Sequence, residues 1–529
     1  MTLPEFLSNW LFALSSILTT GDADTFGLFF GIDTRPSKTT TYLQQALASS
    51  TLDEDAELDA VRDIIDPDDQ WSSIARMVHA YLLYLRSARQ DIGLSHRFEL
   101  LLKFMNAVSS AADNNNGAVL NVLVLEGSKH ITRLGIMCDD LADDGSCKYS
   151  EQAHSVVQKL FNVSLKGVRL PNELGKRETS VGIINCLFKL ASKMGRIGSM
   201  TTIIVNLQNV LPSINITSDT RFSVAQRCTY AYYIGIESFQ NAQFLKAANT
   251  LQEAFDLCHP SFLRNRRKIL IHLVASNVIL GRFPSSDLYN LPEAVQLREV
   301  FSPIIKAIKV GNFTGFERAL FRSKKWLLHF DIFHDLEIRC ETLMWRNLIK
   351  NVFAVSGSTA KNGVESVGLD KILEAALVTR AGLRPRVVGQ TINGQREFRE
   401  TITESSILSI VLGLVDNGWL NGYVNLEKGM LAGWSSKSRL ITRLADIKNQ
   451  YVGMLWGGEN GSGVTEKEGS VEKVEKDGET NGFPAAATAA APAQQSFGGL
   501  FAGGFGDTNG NGNGGGYATD PGDDMEMEL

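Results

Sequence analysis

Four cationic side chains stand close together near the middle of the chain. They are Arg264, Arg266, Arg267 and Lys268, in the stretch 264-RNRRKILIHLVASNVILGRFP-284, and an almost wholly apolar segment follows them. Cations at the start of a helix oppose the helix dipole, at a cost of about 0.3–1 kcal/mol. Their presence predicts contact with phosphate groups or with an acidic partner. The alternative is that they form only the solvated turn before a buried helix.

Other cations between residues 324 and 443 are candidates for the same kind of contact. Because they lie before, inside and after a compact C-terminal unit, one cationic face across that junction is a hypothesis. For each side chain alone, solvation is the better explanation. No residue that reads bases can be named. The candidates are Lys324, Lys325, Arg384, Arg386, Lys437, Arg439 and Arg443.

Three aromatic residues of the same region are candidates for stacking on nucleic-acid bases. They are Trp419, Tyr423 and Trp434. Proteins that bind single strands stack bases on aromatic rings in this way. The alternative is that these rings form the core of a small domain.

The histidines and acids at residues 329–335 do not have the spacing of a metal site. His329 and His334 are five residues apart, so on one helix they would point ~140° away from each other, unlike the i, i+4 pair of a zinc helix. His272 is predicted to be a core residue. The sequence contains neither a phosphate-binding Gly-x-x-x-x-Gly-Lys-Ser/Thr motif nor a Gly-x-Ser-x-Gly motif. We therefore expect a non-catalytic protein without metal or cofactor.

Apolar residues recur at intervals of three and four positions along most of the chain, which predicts helices. These helices must position the candidate residues. Residues 222–260 predict an antiparallel helical hairpin with a break at residues 240–242, in which small alanines face aromatic rings, as in tetratricopeptide-type repeats. Residues 269–280 predict the next buried helix, with 264–268 as the turn before it. Further helices are predicted at 4–20, 71–89, 97–112, 118–142, 151–167, 292–311, 313–330, 332–357, 366–380 and 404–418.

The pattern changes after the helix at 404–418. Residues 419–424 and 430–434 predict a β-hairpin across the turn 425–429. Two helices followed by a β-hairpin are typical of a winged helix, a relative of the helix-turn-helix. We expect an all-α fold, a helical-repeat solenoid at 1–220 and 221–360 followed by a winged helix at 361–445.

The last part of the chain differs in charge and composition. From residue 457 onward there are 13 acidic residues and three lysines, so of the formal net charge of −6 the tail carries −10 and the remainder +4. Its abundant Gly, Ala and Asn predict disorder over 457–529. The opposite charges suggest that the tail competes with RNA for a basic face.

Compartment and membrane signals are few. The six cysteines include no C-x-x-C pair, which favours a reducing compartment, the cytosol or nucleus. Residues 4–20 carry an acid and no base, so we expect an amphipathic helix and not a signal peptide. No segment reaches the roughly 18 apolar residues of a membrane span, so no membrane partner is expected.

Three blocks of sequence resemble one known family. The run 232–289, the helix 342-TLMWRNLIKNVF-353 and the passage 410-IVLGLVDNGWLNGYV-424 resemble the PCI-domain proteins of the COP-nine signalosome subunit-twelve and PCI-domain-containing protein two group. After Gly422 and Tyr423 the chain departs from the family pattern, with 430-MLAGWSSKSR-439. The matching positions of the first block are Tyr232, Tyr233, Gly235, Phe244, Ala247, Leu251, Ala254, Cys258, Asn265, Arg267, Leu270, Leu273, Leu280, Gly281, Phe283 and Pro284.

The resemblance implies a scaffold and not a catalyst. Members of the group are subunits of the nuclear transcription-and-export complex, with a large scaffold subunit and a small acidic disordered protein as partners, and the assembly binds RNA and DNA. Other members are described as associated with the signalosome. The resemblance therefore implies a role in mRNA export and transcription elongation in the nucleus, or in the cytoplasm as well, with a signalosome-like role as the alternative.

Overall fold

Most of the segments predicted to be helical are helices in the part of the chain that the computed structural model describes. Its contacts divide the chain between Ser276 and Asn277 into two units, and none of the described helices has the length and apolar content needed to cross a membrane. The predicted mainly helical class is confirmed. The described residues are 4–32, 38–49, 54–88, 93–142, 145–166, 175–211, 215–359, 363–380, 402–434, 439–444 and 447.

Many of the helices in unit 1 pack against the next helix along the chain. The predicted amphipathic helix at the N-terminus is confirmed, because Leu7, Trp10 and Leu14 are buried. The helices are α1 (Glu5–Thr20), α2 (Ala23–Phe29), α3 (Lys38–Ser49), α4 (Glu54–Ile65), α5 (Ser72–Ala88), α6 (Leu94–Ala112), α7 (Asn121–Ala142), α8 (Lys148–Leu165), α9 (Ser180–Lys193), α10 (Thr201–Val210), α11 (Val224–Gln240), α12 (Phe244–Leu257) and α13 (Leu263–Ile279), whose last residues belong to unit 2.

The predicted hairpin of α11 and α12 is confirmed. α11 begins with a capping box in which Ser223 and Gln226 satisfy each other's backbone N–H groups. Gly235 allows α12 to approach closely, since a Cβ there would lie 2.5 Å from Leu251 Cγ. Ala247 is fully buried in the same interface. Small residues therefore let the two helices pack at short range.

Unit 2 continues with helices and ends in a small sheet. Its helices are α14 (Leu297–Val310), α15 (Phe313–Arg322), α16 (Lys324–His329), α17 (Phe333–Ser356), α18 (Leu369–Arg380) and α19 (Glu404–Asp416), and its strands are β1 (Ser358–Thr359), β2 (Glu365–Gly368), β3 (Gly422–Asn425) and β4 (Met430–Gly433). The strand order is β1-β2-β4-β3, and neighbouring strands are antiparallel.

The end of α14 is fixed by α17. Gly311 terminates α14 in the left-handed region with φ +75°, and a Cβ there would lie 2.8 Å from the backbone of Leu348. The amide of Asn347 donates to the Ile308 carbonyl at 3.0 Å, and that of Asn351 donates to the Val310 carbonyl at 3.0 Å. Two asparagines four residues apart thus supply side-chain donors to the last carbonyls of α14, in addition to the Gly311 N–H that donates to Ile308.

The C-terminal unit has the order of elements of a winged helix. β2 leads into α18, α19 follows, and the β3–β4 hairpin returns beside β2 with Val367 opposite Leu431. Val367, Leu431 and Trp419 are buried. The predicted helices and the predicted hairpin of this region are confirmed.

Three predictions of local structure were wrong. Residues 366–368 form strand β2 and not the start of a helix, because β4 supplies their hydrogen-bonding partners. The helix predicted over 313–330 is interrupted at Ser323, where φ −102° and ψ 13° leave the helical region. The run 264–268 lies inside α13, which begins at Leu263, and not in a turn. The tail, 457–529, is outside the described residues, and the predicted domain boundaries stay predictions.

Candidate nucleic-acid interface

The run 264–268 occupies the first turns of α13, and its side chains differ in exposure. Arg264 is exposed, whereas Arg266, Arg267 and Lys268 are half-buried and Asn265 is buried. A helix of this kind places successive side chains about 100° apart. The four cations therefore do not form one solvent-facing group.

Arg266 donates hydrogen bonds to carbonyl groups at the end of the preceding helix, α12. Its Nη1 atom donates to the carbonyl of Cys258 at 2.8 Å and to that of Phe255 at 3.3 Å. Its guanidinium also lies 3.9 Å from the centroid of the Phe255 ring. Because α12 ends at Leu257, these carbonyls have no helical donor of their own, and a cation there also suits the helix dipole. The side chain of Arg266 is therefore structural.

His272 lies one turn after the run. It is 8 % exposed, its Nδ1 atom is 3.2 Å from the Lys268 carbonyl oxygen, and its ring packs edge-on against Phe239. The prediction of a core histidine is confirmed.

A second group of cations lies on α14, α15 and α16. All six of its side chains are exposed, and Glu317 is the only acidic residue between residues 300 and 330. α14 packs against α15, and α15 packs against α16. We call this group the α14–α16 basic surface; it consists of Lys306, Lys309, Arg318, Arg322, Lys324 and Lys325.

Only Lys324 and Lys325 of this group were named from the sequence. Arg318 and Arg322 are four residues apart on α15, and residues at that spacing share a helix face. Lys306 and Lys309 are three apart on α14 and share a face in the same way. Helical spacing, and not adjacency in the sequence, was the signal that would have found them.

Two lysines of the basic surface lie over aromatic rings. The Lys324 Nζ atom is 5.2 Å from the Phe321 ring centroid and 5.4 Å from that of Phe333. The Lys309 Nζ atom is 5.2 Å from the Phe283 ring centroid. Contacts of this kind contribute about 0.5–1 kcal/mol at exposed sites. They hold the ammonium groups in place while leaving them in contact with solvent.

The winged helix presents few of the predicted cations. Arg439 and Arg443 follow β4 and are exposed, whereas Arg384, Arg386 and Lys437 lie outside the described residues. α19, which occupies the position of a recognition helix, has the sequence ESSILSIVLGLVD, with two acids and no cation.

The three candidate stacking residues separate into one core residue and one exposed pair. Trp419 is 2 % exposed, which leaves its ring inaccessible to a base, whereas Tyr423 is 42 % and Trp434 64 % exposed. The rings of Tyr423 and Trp434 lie 5.3 Å apart on the β3–β4 hairpin. This pair is accessible for stacking or for contact with a protein.

The histidines and acids at residues 329–335 lie on two helices. His329 ends α16 and His334 lies in α17, so the single helix assumed for them is absent. His334 Nδ1 is 3.7 Å from the Glu337 carboxylate, and burial raises the pKa of Asp335. Among the described residues no group of three or more metal-binding side chains is present.

The block 342–353 contains a buried arginine with a structural role. Arg346 is 6 % exposed, donates to Asn347 Oδ1 at 3.0 Å and also donates to the Thr442 carbonyl. Its burial lowers its pKa to about 10. Because Asn347 in turn donates to the end of α14, this pair positions α14 and the segment after the wing. Sequence reasoning matched the block without finding this role.

Pairs of helices that lead into a winged helix are the arrangement of a PCI-domain protein. Comparison with known proteins agrees: the chain is 29 % identical to PCI domain-containing protein 2 of Xenopus laevis over 203 residues, which are 38 % of this chain and 48 % of the relative. It is 25 % identical to a PCI domain-containing protein of Schizosaccharomyces pombe over 360 residues, 66 % of this chain and 75 % of the relative.

A CSN12 homolog of Gibberella zeae is 28 % identical over 202 residues, 38 % of this chain and 44 % of the relative. No family model matches the chain. The matches to the Xenopus and Gibberella proteins span about half the length of those relatives. Together the relatives support a PCI-domain protein of the group that contains PCI domain-containing protein 2 and the CSN12 homologues.

Proposed function

We propose that the chain is a non-catalytic scaffold subunit of a nuclear complex that couples transcription to mRNA export. In this proposal it binds RNA or DNA together with partner subunits, a large scaffold protein and a small acidic protein. The scaffold role is supported by the PCI-domain relatives. The export role is supported by the resemblance of residues 232–289, 342–353 and 410–424 to subunits of that complex.

The α14–α16 basic surface carries the nucleic-acid part of the proposal. It presents six exposed cations, and residues 300–330 contain a single acid. Phosphate contacts supply most of the affinity of non-specific nucleic-acid binding, and they need cations that are accessible to solvent. A surface without identifiable base-reading side chains is expected to bind with little sequence preference.

The test compares two variants that lose the same charge. One carries Lys306→Gln, Arg318→Gln and Lys325→Gln in the basic surface; the control carries Arg76→Gln, Lys103→Gln and Lys246→Gln, which are exposed residues of unit 1. Fluorescence anisotropy of a labelled single-stranded RNA is measured with the full chain over a range of salt concentrations.

The first variant should bind RNA about tenfold more weakly at low salt, and the slope of log K against log salt should fall by about 2, because three phosphate contacts are lost. The control should change affinity by less than about twofold. Equal losses in the two variants, or no RNA binding by the unmodified chain, would contradict the nucleic-acid part of the proposal.

A second candidate function is a protein-interaction subunit associated with a signalosome-like complex, without direct nucleic-acid binding. The composition of α19 favours it, because a helix with two acids and no cation is poorly suited to a nucleic-acid groove. The exposed Tyr423 and Trp434 also suit a protein interface, where aromatic residues are enriched. Affinity purification from cells separates the two functions, since one predicts export-complex partners and the other signalosome subunits.

A further inference from the structure

The far C-terminal end of the chain carries the charge opposite to that of the α14–α16 basic surface. Residues 520–528 contain five acids, Asp520, Asp523, Asp524, Glu526 and Glu528, and no base. The other acidic part of the tail, residues 459–479, mixes seven acids with three lysines. The end of the chain is therefore the part of the tail with the highest density of uncompensated charge.

We propose that residues 520–528 bind the α14–α16 basic surface of the same molecule and thereby compete with nucleic acid. The competition rests on the proposed function; the contact itself does not. The acidic segment then occupies the surface in place of a phosphate backbone. Nucleic acid or an acidic partner must displace this segment in order to bind.

Three cations of the basic surface have no ion-pair partner in the described part of the chain. Within those residues, Lys306, Arg318 and Lys325 form no ion pair. α14 and α15 turn their apolar residues inward, among them Ile304 and Phe316, and so keep their cations on the solvent side. An anionic segment is the occupant that this surface fits.

The tail is long enough to reach the surface. The last described residue, Ile447, belongs to unit 2, as do α14, α15 and α16, and 72 residues lie between it and Asp520. A Gly-rich coil of that length, as the composition predicts, has a root-mean-square span of about 45–50 Å. A compact body as large as the described part of unit 2 has a radius of gyration of about 14 Å. The acidic end therefore reaches every face of that unit.

The expected effect on binding is moderate. A tether of this length gives an effective concentration on the order of millimolar. If the acidic segment alone binds with a Kd of about 0.1–0.5 mM, the tether lowers the affinity for RNA by about three- to tenfold at low salt. The Debye length is only about 3 Å at 1 M salt, so the effect should vanish there.

The contact is tested with a zero-length carbodiimide, which joins a carboxylate to a lysine amine in direct contact, on a mixture of ¹⁴N- and ¹⁵N-labelled full chains. Mass spectrometry should find residues 520–528 linked to Lys306, Lys309, Lys324 or Lys325 with both peptides of one isotope. Links spread evenly over exposed lysines such as Lys103 and Lys246, or links of mixed isotope, would overturn the proposal.

The competition is tested by neutralising the segment with Asp520→Asn, Asp523→Asn, Asp524→Asn, Glu526→Gln and Glu528→Gln. RNA affinity at low salt should rise about three- to tenfold. The control neutralises five acids nearer the body, Glu459→Gln, Glu466→Gln, Glu468→Gln, Glu472→Gln and Glu475→Gln, and should change affinity by less than about twofold. Equal increases would show an effect of net charge alone and overturn the assignment of the segment.

Failure of this inference is distinguishable from failure of the proposed function. Cross-links to the basic surface without RNA binding by any variant would overturn the nucleic-acid proposal and the competition, while supporting the contact. RNA binding that depends on Lys306, Arg318 and Lys325, in the absence of those cross-links, would overturn the tail contact and the competition, while supporting the nucleic-acid proposal.

Discussion

Two segments of the chain concentrate cations, and they use them differently. At 264–268 the cations lie on the first turns of a helix, and Arg266 turns toward the carbonyls of Phe255 and Cys258 at the end of α12. At 318–325 the cations lie on exposed faces, and the aromatic contacts of Lys324 leave it accessible. The difference shows that the density of charge in a sequence does not measure the charge that a surface offers to a ligand.

The physical cause is the neighbouring element. A helix that ends just before a cation leaves carbonyls without donors, and these carbonyls attract the cation. α14 also ends close to cations, but Asn347 and Asn351 satisfy its carbonyls instead. At the end of α14 neutral amides bind the carbonyls, so the nearby lysines remain exposed to solvent. At the end of α12 the guanidinium of Arg266 binds the carbonyls instead.

The largest effect is expected from Arg266→Ala. It removes two hydrogen bonds from a charged donor and a stacking contact on Phe255, so unit 1 should lose about 2–4 kcal/mol of stability. Urea unfolding followed by far-UV circular dichroism measures the change.

Arg264→Ala is the matched control, because it removes an exposed arginine from the same helix and should change stability by less than about 0.5 kcal/mol. Arg266→Lys should lie between the two, since it keeps the charge and loses the planar fork. Similar unfolding curves for Arg266→Ala and Arg264→Ala would contradict the structural role assigned to Arg266.

The reverse pattern is expected for the basic surface. The triple variant Lys306→Gln, Arg318→Gln and Lys325→Gln should lose RNA affinity, as described above, while its unfolding midpoint stays within the change expected of surface substitutions, about 0.5 kcal/mol each. Thermal unfolding of the variant and of the unmodified chain provides the measurement. A large loss of stability would mean that these cations are structural, like Arg266.

The smallest effect is expected from Arg264→Gln on RNA binding. One exposed cation contributes at most one phosphate contact, so affinity at low salt should change by less than about threefold and the salt slope by about 0.7. Anisotropy titrations measure both quantities. A loss as large as that of the triple variant would move the interface to α13.

Local patterns were sufficient for much of the fold. The alternation of small and large residues around Gly235 and Ala247 predicted the α11–α12 hairpin, and the glycine at residue 311 predicted the end of α14. The winged helix followed from its two helices and hairpin. In each case the signal and the structure that it predicts lie within a few residues of each other.

The features that the sequence did not predict depend on distant partners. Strand β2 exists because β4, more than sixty residues later, pairs with Val367. The role of Arg266 depends on where α12 ends, and that of Arg346 on the carbonyl of Thr442. Arg318 and Arg322 are an exception, because the helix predicted over 313–330 already places them on one face at a spacing of four.

Photo-cross-linking of a 4-thiouridine-labelled RNA to the full chain locates the RNA-binding surface, because mass spectrometry then identifies the peptides that touch RNA. If the α14–α16 basic surface binds RNA, cross-linked peptides should cover residues 306–325, and peptides of 263–268 should be absent or minor. Cross-links concentrated at 263–268, with none at 306–325, would contradict this assignment.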